Sequence, residues 1–227
     1  MKIKFGALVV DGRGKIGGHV ASKNRAGAYL RTKVTPVNPQ TPAQNAVRSR
    51  LTSLSQGFRN LTQQQIAAWN NAVSQFAKTD IFGDIKNPTG LNLYVKLNTN
   101  LLIANNAILT DPPAPNGAVP SILENIGSGA IVPQLDITLG SVVAGNNVMV
   151  VSATAPVSPG INFVKSEYRQ IGTFPAASGA LVDLTAVYQA KFGNPQINQK
   201  IFVSIKFIDT TSGVSSTQQS IATVTAF

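Results

Sequence analysis

From Ala28 to Val34 the chain alternates strictly, with Tyr29, Arg31 and Lys33 on one side and Leu30, Thr32 and Val34 on the other. That is the period of a strand. A second short run, His19 to Lys23, precedes it across Asn24-Arg25-Ala26-Gly27. Asn and Gly supply the positive φ that a tight reversal needs, so the two runs predict a hairpin with one basic face carrying an aromatic ring. The Gly-rich Asp11-Gly12-Arg13-Gly14 predicts a bend ahead of it.

After Pro36 and Pro39 the period changes from two to that of a helix. Thr41-Pro42-Ala43-Gln44 is a helix start: Thr41 can cap, Pro42 suits the first position, and Gln44 can bond back. Val47, Leu51, Leu54 and Phe58 then form one apolar stripe, which Gly57 closes. Thr62 and Gln65 make a second capping box, with Leu61 placed to staple onto Ile66, ahead of Ile66, Trp69, Val73 and Phe76. A third start at Asn87-Pro88-Thr89 leads through Leu93, Leu97, Leu101 and Ala104. These helices are too short to stand alone and must pack on each other or on a partner.

Asp111-Pro112-Pro113-Ala114-Pro115-Asn116-Gly117 has the composition of a linker. Beyond it the period returns to two. Val148–Ala153, Phe163–Arg169, Ile201–Ile208 and Ile221–Phe227 read as strands, separated by turn signals such as Ala144-Gly145-Asn146-Asn147 and Ser158-Pro159-Gly160. A helical turn or two over Asp183–Phe192 ends at Gly193. About seven short strands over ~100 residues is the pattern of an immunoglobulin-like or fibronectin-like β-sandwich. The expected fold class is therefore α+β and multi-domain. Residues 1–110 form a basic β-ribbon with three helices, 111–117 a linker, and 118–227 the β-sandwich.

Charge sharpens this division. Residues 1–59 carry 11 Lys and Arg against Asp11 alone, a net of +10, whereas residues 60–227 balance 8 basic with 8 acidic side chains. A basic segment of that kind calls for a negatively charged partner, nucleic acid or an acidic protein surface. The residues expected to meet it are Lys23, Arg25, Tyr29, Arg31, Lys33, Arg48 and Arg50, the cations to neutralise anions and Tyr29 to stack. Charged residues make up only 12% of the chain, against roughly 25% in an average domain. Such a surface suits a protein covered by neighbours in an assembly.

Candidate chemistry is sparse. Cysteine is absent, which removes disulfides and thiolate nucleophiles. Gly12-Arg13-Gly14-Lys15-Ile16-Gly17, after the apolar run Ala7 to Val10, matches the dinucleotide fingerprint in letters. The residues after it alternate like a strand, and no acid occurs between Asp11 and Asp80 to hold a ribose. His19 is the only histidine, and Glu124 and Glu167 are the only glutamates. Glu167 lies between Lys165 and Arg169, where an ion pair is the simpler reading. The expectation is a non-enzymatic protein with no cofactor and no metal. No run reaches the ~18 apolar residues of a membrane span, and Lys2 and Lys4 are not followed by the apolar core of a secretory signal.

The run from Gly17-Gly18-His19-Val20-Ala21-Ser22-Lys23-Asn24-Arg25 through Tyr29-Leu30-Arg31, then Pro36-Val37-Asn38-Pro39-Gln40-Thr41-Pro42-Ala43-Gln44 to Arg48, resembles a recurrent N-terminal module. Leu61-Thr62 and Ala67-Ala68-Trp69-Asn70 extend the likeness. Such modules belong to structural proteins of tailed bacteriophages and of prophages in Bacteroidota, including crAss-like phages. The resemblance implies a virion component, often with a β-sandwich appended, and brings no catalytic residues. The leading expectation is an auxiliary capsid, head-decoration or head-fibre protein. A tail or neck ring component, or a nucleic-acid-binding protein using the ribbon, are the alternatives. Its partners would be the major capsid, portal or ring proteins, and it could form homo-oligomers.

Overall fold

The computed structural model describes residues 1–6, 9, 11–115, 123–128, 135–139, 146–175 and 181–224. Parts of four expected features lie outside them: the apolar run 7–10, linker residues Asn116 and Gly117, turn residues Ala144 and Gly145, and the strand end at 225–227. The chain is α+β with antiparallel sheets. It divides into two compact units, Met1–Ser49 with Ala77–Asn87, and Arg50–Phe76 with Pro88–Phe227.

The first unit is built on strands β1 (Lys2–Ile3), β2 (Gly14–Ile16), β3 (His19–Asn24) and β4 (Gly27–Thr32), in the order β1-β4-β3-β2. The expected hairpin is β3–β4. Gly27 takes φ +113°, but Asn24 does not adopt the left-handed region. Its side chain serves the turn instead, Oδ1 accepting from the amide of Ala26 at 2.9 Å. The Gly-x-Gly run feeds β2 and a second tight reversal, with Gly17 at φ +54°, and no helix follows it. A small hairpin, β5 (Lys78–Thr79) and β6 (Ile85–Lys86), completes the unit. Asp80 knots its tip by accepting from the amides of Phe82 at 2.8 Å and Asp84 at 3.2 Å. Burial pushes the Asp80 carboxyl up, but these amides and Lys2 outweigh it and hold the group below the usual carboxylate range.

Helix α1 (Pro42–Arg59) starts as expected, Thr41 Oγ1 accepting from the Gln44 amide at 3.3 Å. The Gln44 side chain does not return the bond: its Oε1 has no partner. The single apolar stripe expected along α1 is only half realised. Val47 and Leu51 are 61% and 52% exposed, whereas Leu54 is 1% exposed. Val47 lies before the division at Ser49 and Arg50, in the unit where no described residue is buried, and Leu51, just past it, stays outside the core that takes in Leu54 and Phe58. Gly57 does not end the helix. It sits inside, where a Cβ would come 3.2 Å from the Tyr94 hydroxyl.

In the second unit α2 (Gln63–Ala72) carries the complete capping box of Thr62 and Gln65, and α3 (Gly90–Ile103) is capped by Thr89. Leu54, Trp69, Leu93, Tyr94 and Leu97 form their shared core. Trp69 packs edge-on against Tyr94 at 5.3 Å and donates its indole N–H to the Thr110 carbonyl at 2.7 Å. The remainder is strands β7 (Leu123–Ser128), β8 (Leu135–Leu139), β9 (Asn147–Ala153), β10 (Arg169–Pro175), β11 (Leu181–Asp183), β12 (Lys200–Asp209) and β13 (Gln219–Val224). They make two antiparallel sheets, ordered β11-β8-β7 and β10-β9-β12-β13. Helix α4 (Thr185–Phe192) ends at Gly193, φ +77°.

One core joins the two sheets. Alternate residues of β8 (Leu135, Ile137, Leu139), β9 (Met149, Val151, Ala153) and β12 (Ile201, Val203, Ile205, Phe207) point into it, joined by Leu184, the residue before α4, and Tyr188, a residue on it. Burial raises the pKa of Tyr188, whose buried hydroxyl donates to the Thr154 carbonyl at 3.1 Å. The strand expected over Phe163–Arg169 is not formed. Its partner β9 ends at Ala153, which pairs with Arg169, so residues 163–168 have no strand to bond and Phe163 is 77% exposed. Pairing therefore begins where the expected strand ends.

The helices belong with these strands. Asn100 on α3 donates to the Gly213 carbonyl at 2.8 Å, Asn106 donates to Thr210 at 2.7 Å, and Ala104 packs with Val150 and Ile208. The compact units thus differ from the expected division at 111–117: the proline-rich residues 111–115 lie inside the second unit, tied back by Trp69 to Thr110 and by Asn98 to Leu109.

Candidate docking surface

Directly paired residues of an antiparallel sheet share a face. Across the first unit's sheet, Lys15 (β2), Val20 (β3) and Arg31 (β4) form one row, and Ser22, Tyr29 and Lys2 form the next row on the same face. Lys15 and Arg31 stand two strands apart, about 10 Å, twice the interstrand spacing. The opposite face carries Ile16, His19 and Thr32 in one row, Ala21 and Leu30 in the next, then Lys23, Ala28 and Ile3. The sheet is basic on one side and largely apolar on the other.

Of the seven residues expected at the site, Tyr29 and Arg31 meet on the basic face, with exposed Lys33 just beyond the strand, its amide bonded to Gly18. Lys23 stands on the other face, because its partner is Ala28, and lies 3.9 Å from Asp11. Arg25 is exposed at the hairpin tip. Arg48 is on α1, donating to Asn38 Oδ1 at 2.6 Å, and Arg50 falls in the second unit. Sequence reasoning missed Lys2 and Lys15 on the basic face. Their strands are two and three residues long and show no readable alternation, so only the pairing places them.

The unit holds eleven Lys and Arg against three Asp, a net of +8, while the second unit holds eight against six, a net of +2. All three acids of the first unit are already engaged. Asp11 pairs with Arg13 at 3.4 Å, Asp80 with Lys2 at 3.3 Å, and Asp84 with Lys4 at 3.1 Å, whose ammonium also lies 5.2 Å from the Phe82 ring centre. Among the described residues of this unit Lys15, Arg25, Arg31, Lys33, Arg48 and Lys78 form no ion pair. They are the cations left to meet an external anion.

No described residue of this unit is buried. Ile16 is 76% exposed, Ile81 75% and Ile85 73%. On the apolar side an open groove of about 770 Å³ is lined by Met1, Ile16, His19, Leu30, Arg31 and Thr32. His19 is exposed there, and Glu167 is exposed in the loop before β10. Among the described residues no three His, Cys, Asp or Glu side chains gather as metal ligands, and no helix is long and apolar enough to cross a membrane. Against known proteins, the chain matches no family model, no curated protein and no solved structure.

Proposed function

We propose that this protein is a non-enzymatic structural component of a bacteriophage particle, an auxiliary capsid, head-decoration or head-fibre protein that docks through its basic first unit. The observation that carries this reading is the contrast between units: one of +8 with no buried described residue, one nearly neutral with well-packed cores among its helices and between its sheets. A surface of this kind is made to be covered. The N-terminal likeness to phage structural modules supplies the setting. The second unit's sheets read best as an immunoglobulin-like sandwich. In support, the second of its seven strands lies between the first and fifth, and the sixth joins the third to the seventh.

Mass spectrometry of purified particles tests the reading. Copies on the scale of the shell subunits mean decoration, and a ring's worth means a neck or tail position. Absence from the particle overturns the proposal. Reversing Arg25, Arg31 and Lys33 to Glu abolishes incorporation while the second unit stays folded.

The row of Lys15 and Arg31 beside Tyr29 favours one other reading, nucleic-acid binding through that face. A duplex neutralised at six phosphates would then show a log–log salt slope of roughly −5.

A further inference from the structure

A four-stranded sheet with an apolar face is stable once that face is covered. In the first unit Ile16, Leu30 and Ile3 stand on such a face, and none of them is buried. We propose that this face, rather than the basic one, is the specific docking surface, and that its occupant is an acidic partner protein. The partner sets a large apolar side chain into the groove between Ile16, Leu30 and Thr32, and brings a carboxylate to Arg31, which also lines it. The proposal rests on reading the first unit as a docking element.

Area and charge select this occupant. Seventeen strand residues at ~3.3 Å each, in strands ~4.8 Å apart, give a face of about 270 Å². That is about a third of the ~800 Å² per partner in a stable interface. A second copy would have to hold on that area alone while bringing two units of +8 together. An acidic protein adds charge pairing to the same small apolar contact. Duplex DNA has the charge but presents phosphates, which need no apolar groove.

The test is fluorescence anisotropy on the full chain with three labelled probes. They are a synthetic peptide alternating Glu and Leu, the same peptide with Ser replacing Leu, and a random duplex DNA. The Glu-Leu peptide is expected to bind about tenfold more tightly than the Glu-Ser peptide, the gain from burying one large apolar side chain. Ile16→Asp removes that gain. Ile85→Asp, as exposed but outside the groove, leaves it intact. Ile16 is too exposed for its replacement to unfold the unit, and matched thermal melts of the two variants check this. Equal binding of the two peptides, tighter binding of DNA, or a stable dimer that Ile16→Asp dissociates would each overturn the proposal. Particle composition decides the functional reading independently, so the two can fail separately.

Discussion

Gly213 is where the second unit's helices and strands are held together, and alanine there should be costly. The residue takes φ +70°, and an added Cβ would lie 2.5 Å from the Leu97 carbonyl oxygen and 3.1 Å from Leu101 Cγ. The nearest atoms are α3 backbone, so a rotamer change cannot relieve the clash. The left-handed conformation alone costs a Cβ-bearing residue about 1–2 kcal/mol. If the turn retreats from α3, the buried bond from Asn100 to the Gly213 carbonyl breaks. An unpaired buried group adds about 1–3 kcal/mol. The expected loss for Gly213→Ala is thus about 2–5 kcal/mol, or roughly 5–15 °C in Tm for a chain of this size. Two variants separate the contributions. Gly193 has φ +77° with nothing within 4 Å, so Gly193→Ala reports strain alone; Gly160 has neither strain nor neighbour, so Gly160→Ala should be near neutral. Calorimetry and urea unfolding measure all three. If Gly213→Ala costs no more than the ~1–2 kcal/mol of left-handed strain alone, the turn is not seated on α3 as argued.

Two further outcomes follow from the second unit. Lys206 on β12 is half-buried, with only a 3.5 Å approach to Asn100 Oδ1, and burial lowers its pKa. The folded state therefore binds its proton less readily than the unfolded chain, so Lys206→Met should raise the urea midpoint at neutral pH. That advantage should shrink as pH rises towards 10.5, the ordinary lysine value, where the unfolded lysine also loses its charge. Limited proteolysis that nicks the chain between 111 and 117 should leave fragments that co-elute under native conditions, because Asn100–Gly213 and Asn106–Thr210 bridge the cut. Separate elution would restore a domain boundary there.

The local elements were largely legible in the residues that build them. The hairpin β3–β4 and the starts of all three N-terminal helices followed from Gly27, Thr41, Thr62 and Thr89, because turn and cap chemistry acts within a few residues. The alternation of Ile201, Val203, Ile205 and Phe207 gave β12 its buried face. Partnership was not legible. Phe163–Arg169 alternates well enough to read as a strand, yet forms none because β9 has already ended. The contact of α3 with the turn at Gly213 joins residues more than a hundred positions apart, and nothing near either marks it.

The site divides in the same way. Alternation within β4 was enough to put Tyr29 and Arg31 together, but which strand flanks which, and so Lys2 and Lys15 on that face and Lys23 on the other, depends on register. The charge asymmetry survives the redrawn boundary. When Lys78, Lys86, Asp80 and Asp84 join the first unit, it still carries +8 of the chain's +10. Its own three carboxylates already serve to join strand β1 and the glycine bend to their neighbours. They cannot also neutralise Lys15, Arg31 or Lys33. Self-repulsion disfavours a compact state, and a unit in which no described residue is buried has little described apolar burial to set against it. The partner proposed above, an anionic surface that also brings apolar side chains, would answer both the exposed apolar residues and the surplus charge.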